Sequence, residues 1–213
     1  YHRVASGRNV HNLDSWLMRA PALLSTFARN AADVSLIEGV MGLFDGLSPT
    51  GAAGSSAEIA GWLGAPVLLV CDASGMARSV AALAHGFASF DPDVRVAGLL
   101  ANRVGSRGHL QLLERACAAR PGLPPLLGGL EKNAAARFPE RHLGLRSARE
   151  FELRPAIEAW AEQVERSCDV EGLLALARSA PPLVVPEPDA LPLARRCRVG
   201  VAEDAAFHFY YDA

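Results

Sequence analysis

The sequence predicts an α/β protein built around a mostly parallel sheet, and three observations predict it. Apolar runs of strand length at 34–37, 66–71, 96–101, 126–130 and 199–202 mostly lack polar alternation, as strands covered on both faces do. Segments at 13–28, 56–63, 77–90 and 110–118 carry apolar residues at three- and four-residue spacing, the signature of amphipathic helices. The two kinds alternate, which is the order of a parallel sheet with crossover helices.

In chain order, the helix expected over 13–28 feeds the run 34–37, which should deliver Glu38 to the carboxyl end of a strand. The run 66–71 ends at Asp72 and turns into the helix 77–90; the run 96–101 ends at Asn102-Arg103. Residues 147–179 are rich in Ala, Leu, Glu and Arg, predicting helix with a break at Pro155. Pro181, Pro182, Pro186, Pro188 and Pro192 then crowd a short stretch that reads as an extended connector. We therefore divide the chain into a domain at 1–179, a linker at 180–197 and, at 198–213, the first strand of a second α/β domain. The start at Tyr1 and the close just after that strand lead us to expect an internal fragment of a longer polypeptide.

Half the residues are hydrophobic and 21% charged, the balance of a globular protein. A net charge of -2 with scattered arginines offers no basic surface for a phosphate backbone, so nucleic acid is not expected as a partner. The sequence has no apolar stretch of membrane-spanning length and no secretory pattern at its start, so no membrane partner and a cytoplasmic location are expected. Cys71, Cys117, Cys168 and Cys197 are far apart and the histidines dispersed, which predicts free thiols and no structural zinc.

The residues richest in chemistry run from Leu36 through Glu38, Gly39, Gly42 and Asp45 to Gly46. Glycines let the backbone fold tightly there, returning Asp45 to the rim that carries Glu38, where open α/β sheets bind ligands. Two carboxylates without a neighbouring histidine or cysteine suit a hard cation such as magnesium carrying nucleotide phosphates. A helix cap at Glu38 and a turn at Asp45 account for the same residues equally well. Ser48 to Ser56 is small and glycine-rich, a loop leading to an N-cap at Ser55 or Ser56. Asp72 either caps the helix after it or faces the rim, and the amide of Asn102 either contacts a purine edge or makes a turn. The stretch around Glu140, Arg141 and His142 reads as a loop, with His142 a structural histidine rather than a base. No phosphate-loop lysine motif occurs in these residues.

Taken together, I-E-G-V-M-G-L-F-D-G, L-G-A-P-V-L-L-V-C-D-A-S-G-M-A-R-S, F-D-P-D-V-R-V-A-G-L-L-A-N-R-V-G-S and P-E-R-H-L-G-L resemble the cobyrinic acid a,c-diamide synthases in order and spacing. The resemblance runs from Tyr1-His2 to the closing Tyr210-Tyr211. It implies a P-loop NTPase-type domain related to dethiobiotin synthetase, lacking here its phosphate loop, followed by the start of a glutamine amidotransferase domain. It implies ATP and Mg2+ as cofactors, cobyrinic or hydrogenobyrinic acid as the corrin substrate, glutamine as the ammonia source, and amidation of the a and c carboxylates through acyl phosphates. Glu38 and Asp45 carry over as catalytic and magnesium-binding acids, Asn102 as an adenine contact, and Asp72 lies at the same nucleotide-binding rim. The phosphate-loop residues and the glutaminase cysteine and histidine match nothing in this sequence, so the chain by itself is expected to be inactive. Oligomeric state is open, a homodimer included.

Three other readings compete. A nickel-sirohydrochlorin a,c-diamide synthase shares motifs this short, whereas the run ending in Phe44-Asp45-Gly46 disfavours a cobyric acid synthase. A partition-type P-loop ATPase shares the aspartate at a strand end but should carry a basic surface. A truncated binding module fits poorly with an unfinished second domain.

Overall fold

The computed structural model describes residues 1–133, 140–141, 144–145, 153–185, 198, 200–202 and 204. Its centre is a three-stranded parallel sheet in the order β1 (Val67–Asp72), β2 (Val96–Val104), β3 (Leu126–Glu131). Helix α4 (Ser79–Phe90) connects β1 to β2, and α5 (Arg107–Ala118) connects β2 to β3. This is the α/β architecture that the alternating runs predict.

Before the sheet come α1 (His2–Ser6), α2 (Ala20–Asn30) and α3 (Ser56–Leu63); after it come a two-residue antiparallel pair, β4 (Glu140–Arg141) with β5 (Gly144–Leu145), then α6 (Arg154–Ser167) and α7 (Val170–Arg178). His142, expected in a loop there, lies outside the described residues.

The core forms where α4 and α5 lie on one face of the sheet. Leu69 and Cys71 of β1 and Leu99, Ala101 and Val104 of β2 meet Val80 and Ala84 of α4 and Leu113 and Cys117 of α5. Leu99, Ala84 and Leu113 are at most 1% exposed. The other face is covered unevenly. Leu176 of α7 reaches Gly98 so closely that a side chain there would collide with it, while Val70 of β1 stays 55% exposed. Burial of β1 on both faces, expected from its apolar run, is therefore not seen, because α7 packs over β2 and β3 rather than β1.

At Gly128 the backbone of β3 touches the α6–α7 junction. Its φ is +145° and a Cβ would lie 2.5 Å from both Ser167 O and Cys168 Cα, so only glycine fits. Asp169 caps α7 by accepting from Gly172 N at 2.8 Å. The break in the 147–179 segment thus falls at Cys168 and Asp169. Pro155 starts a helix instead of ending one, occupying its first turn, where its missing N–H costs nothing; residues 147–152 lie outside the described set.

Two other expectations change. Helix α2 begins at Ala20 rather than 13, since Pro21 is tolerated only in a first turn and Asp14 Oδ1 accepts from Trp16 N (2.8 Å) and Leu17 N (3.2 Å), closing a turn that competes with helix. Residues 34–37 form no strand: they join no ladder, and Leu36 is 94% exposed. The chain just beyond is held elsewhere, Glu38 on His2 and Val40 O on Ser56, so the run is not laid along the open edge of β1. Of the strand expected at 199–202, Gly200, Val201 and Ala202 are without regular structure and Val199 is outside the described residues, as is most of the proline-rich connector. Among the described residues no helix is long and apolar enough to cross a membrane.

Candidate functional site

The expected site residues fall into two groups. Asp72 and Asn102 are register partners across β1 and β2, and Asn102 in turn pairs with Leu130 of β3. They stand at the carboxyl edge of the sheet, where the chain leaves each strand and a crevice opens. The crevice is a cleft of about 240 Å3 lined by Ser74, Gly75, Arg103, Gly105, His109 and Lys132 among others. Glu131, the last residue of β3, closes one side.

Asp72 does not cap α4, which begins seven residues later with Arg78 at its N-cap. Its Oδ1 accepts from Ser74 N at 3.0 Å and its Oδ2 meets Arg103 Nη1 at 3.0 Å. The competing ligand is the guanidinium, brought back over Asp72 because Arg103 has a left-handed backbone, φ 55°. Such a conformation costs about 1 to 3 kcal/mol in a residue other than glycine and tends to occur at functional sites. Both side chains of this ion pair remain more than half exposed, so it orients more than it stabilises. Asn102 Oδ1 accepts from Arg103 N at 2.8 Å, which sets the amide plane and leaves Nδ2–H as the donor for a ligand.

Glu38 and Asp45 lie on the other group of loops. Glu38 follows the extended 35–37 segment, and its Oε2 bonds to His2 Nε2 of α1 at 2.7 Å, with 72% of the side chain exposed. Downstream, the chain wraps the start of α3: Ala57 N donates to Leu43 O at 2.9 Å, Leu47 N to Ala53 O at 2.8 Å, and Ser56 Oγ to Val40 O at 3.4 Å. Ser55 is the N-cap, its Oγ accepting from Glu58 N while Glu58 Oε2 accepts from Gly54 N. This reciprocal arrangement resembles a capping box. Gly46 is required here, since a Cβ would run into Ala53 O. Phe44 anchors the loop, its ring 5.7 Å from Phe87 and 4.7 Å from Phe90. Asp45 is thus held exposed beside the last turn of α4, the end away from Asp72. Among the described residues no hydrogen bond or ion pair joins Glu38 or Asp45 to Asp72 or Asn102; the single rim expected for all four is not formed.

Glu38 and Asp45 are of the donor type that a hard cation takes, and among the described residues no hydrogen bond or ion pair joins the two. Glu38 has one oxygen free of His2 and Asp45 presents an exposed carboxylate, and magnesium needs only one or two carboxylates beside waters and phosphate oxygens. No cluster of three or more His, Cys, Asp or Glu suited to a metal occurs among the described residues. Cys71, Cys117 and Cys168 are free thiols, the first two buried. Burial, with Cys117 alongside, pushes the Cys71 thiol up to about 11, opposite to what a nucleophile needs. A larger open cleft, about 420 Å3, is lined by Arg8 and Arg29; none of the four expected residues lines either cleft, and Asp72 reaches the smaller one through its bonds to Ser74 and Arg103, which do.

Sequence reasoning missed Arg103 and His109. No residue-type signal marks a left-handed arginine, and the one local sign for His109 is its place three residues after Ser106, whose Oγ accepts from His109 N.

Among known proteins, the chain is similar to a Leptospira interrogans protein named cobyrinate a,c-diamide synthase, 47% identical over 215 residues. A protein of the same name from Syntrophotalea carbinolica is 47% identical over 214 residues. One from Mesorhizobium japonicum, named hydrogenobyrinate a,c-diamide synthase, is 41% identical over 216 residues. These alignments take in 98% or more of this chain but 46% to 48% of each relative, so the chain spans about half the length of the curated relatives it matches. No family model and no solved structure matches.

Proposed function

The chain belongs to the cobyrinate a,c-diamide synthase family, and from that premise we propose that it forms the nucleotide- and corrin-handling part of an enzyme that amidates the a and c carboxylates of cobyrinic or hydrogenobyrinic acid. The observation that carries this reading is the cleft at the carboxyl edge of β1, β2 and β3, which is lined by Arg103, the residue that Asp72 holds and that follows Asn102 in β2. In parallel α/β sheets this is the place for a nucleotide.

A carboxylate does not accept ammonia until one of its oxygens becomes a leaving group, so the reaction runs through an acyl phosphate, whose carbonyl carbon takes ammonia from glutamine as inorganic phosphate leaves and the amide remains. Bound MgATP supplies that phosphoryl group. In this chain Asn102 donates to the adenine edge, and Asp72 keeps Arg103 turned over the crevice. Glu38 and Asp45 would offer oxygen ligands to a magnesium ion, whose charge would lower the repulsion between phosphate and carboxylate anions. His2 donates to Glu38 and fixes its rotamer, so one carboxylate oxygen stays directed outward. Residues 1–179 belong to this domain, 180–197 link it onward, and 198–213 begin the glutamine amidotransferase domain.

The test is amidation by the intact protein with glutamine, Mg2+ and ATP, counting amides on each corrin by mass spectrometry. Wild type adds two. Glu38→Gln and Asp45→Asn lower the rate about 100-fold or more, the loss typical when one charge-stabilising group is removed. ATP hydrolysis without amidation of either corrin would overturn the substrate and direct attention to nickel-sirohydrochlorin. Full activity in both variants would remove the acids from the site.

A further inference from the structure

The loop after β1 and the turn after β2 form the two walls of the crevice, and one side chain spans them. His109 sits in the first turn of α5, half-buried. Its Nε2 lies 2.6 Å from Met76 O, and its Nδ1 lies 3.0 Å from Gly105 N. A carbonyl can only accept and an amide N–H can only donate, so the ring is neutral with its proton on Nε2. Capping α5 needs only the link to Gly105, which with Ser106 Oγ and His109 N makes a reciprocal cap. The bond to Met76, 33 residues upstream, is not explained by the cap.

Among the described residues two other hydrogen bonds join these walls, Ala73 N to Asn102 O at 2.9 Å and Asp72 to Arg103 at 3.0 Å, and both lie at the strand ends. His109 is the tie further out, where Ser74, Gly75 and Gly105 also line the cleft. We propose that His109 is a positioning residue of the nucleotide site: both its ring nitrogens are engaged by Met76 O and Gly105 N, and this doubly bonded imidazole in the cleft wall fixes the separation of the β1–α4 and β2–α5 loops that receive the nucleotide. This rests on the nucleotide reading above.

The experiment uses the intact protein and measures MgATP binding by equilibrium dialysis, together with the amidation kinetics. In His109→Leu both hydrogen bonds vanish, which raises the Kd and KM for ATP about tenfold. The kcat at saturating ATP stays within about twofold, and the corrin KM does not move. His109→Gln keeps an amide donor for Met76 O and recovers part of the affinity. Nitrogen-15 shifts of the wild-type imidazole report the Nε2-protonated tautomer with and without MgATP. A folded His109→Leu that binds MgATP as wild type does overturns the proposal. So does a variant whose kcat and corrin KM deteriorate in proportion to its ATP affinity, since that is general damage. Wild type that binds no MgATP removes the nucleotide reading and this inference together; wild type that binds and amidates while His109→Leu is unaffected removes this inference alone.

Discussion

Phe44 is the hydrophobic foot of the loop that carries Asp45, and replacing it with alanine tests whether that loop is built or merely tethered. The ring is half-buried and meets Phe87 at 5.7 Å with an interplanar angle of 23° and Phe90 at 4.7 Å with an angle of 45°. Each aromatic pair contributes about 0.5 to 1.5 kcal/mol beyond area, and half-burying a phenylalanine about 1 kcal/mol more. Because Phe90 is 71% exposed, the lower end applies to that pair, and Phe44→Ala should cost about 2 kcal/mol. This cost is local, since Leu43 and Leu47 keep their backbone bonds to Ala57 and Ala53. Amide hydrogen exchange of the intact protein should therefore show about 30-fold loss of protection over 42–57, with β2 unchanged. Phe44→Leu should fall between. Because Asp45 follows Phe44 directly, the Mg2+ concentration for half-maximal amidation should rise in the same order. Protection over 42–57 that stays within threefold of wild type would refute the reasoning, leaving the loop held by α3 alone.

Two further outcomes follow from the core. Burial and the Cys117 thiolate raise Cys71 from an ordinary 9.0 to about 11, so its folded pKa exceeds its unfolded one; the associated stability, about 3 kcal/mol, is fully present below pH 9 and lost as pH rises through 11. Urea unfolding between pH 8 and 11 should show this decline in wild type and a shallower one in Cys71→Val; parallel curves would contradict it. Gly128→Ala places a Cβ 2.5 Å from Ser167 O and Cys168 Cα at φ +145°, and clash plus backbone strain should cost about 3 to 5 kcal/mol. A melting temperature unchanged in this variant would show that the α6–α7 junction moves freely away from β3.

The elements legible in the sequence are those whose stability is decided within a few residues. The runs at 96–101 and 126–130 became β2 and β3 because unbroken apolar stretches of that length need cover on both faces, and α4, α5 and α7 supply most of it. The N-cap of α3 was legible to within one residue, at Ser55 or Ser56, because a serine pair closes a glycine-rich loop just before the apolar helix; the Glu58 N–H bond selects Ser55. Where the reading failed, a second partner decided the outcome. The 13–28 pattern gave way to a turn because one carboxylate, Asp14, takes two N–H groups. The run at 34–37 had strand composition, but a ladder also needs an adjacent edge, and no apolar count carries that information.

The same division separates the site residues. Asp72 and Asn102 could be placed at the carboxyl edge because a parallel sheet puts every strand end there, so their positions follow from topology alone. Arg103 and His109 act through contacts made 31 and 33 residues away, and each depends on the separation of two loops. Glu38 and Asp45 are intermediate. Their residue types could be read, but a rim shared with Asp72 required 34–37 to be a strand, and the structure instead ties Glu38 to α1 and Phe44 to the far end of α4. The loop from 38 to 46 is therefore where sequence and geometry disagree about the same residues. Its three glycines, Gly39, Gly42 and Gly46, are spaced for close packing, since a Cβ at each would meet Ser56, Asp45 or Ala53, so the motif that reads as a ligand loop in sequence is also the one that folds most tightly onto α3.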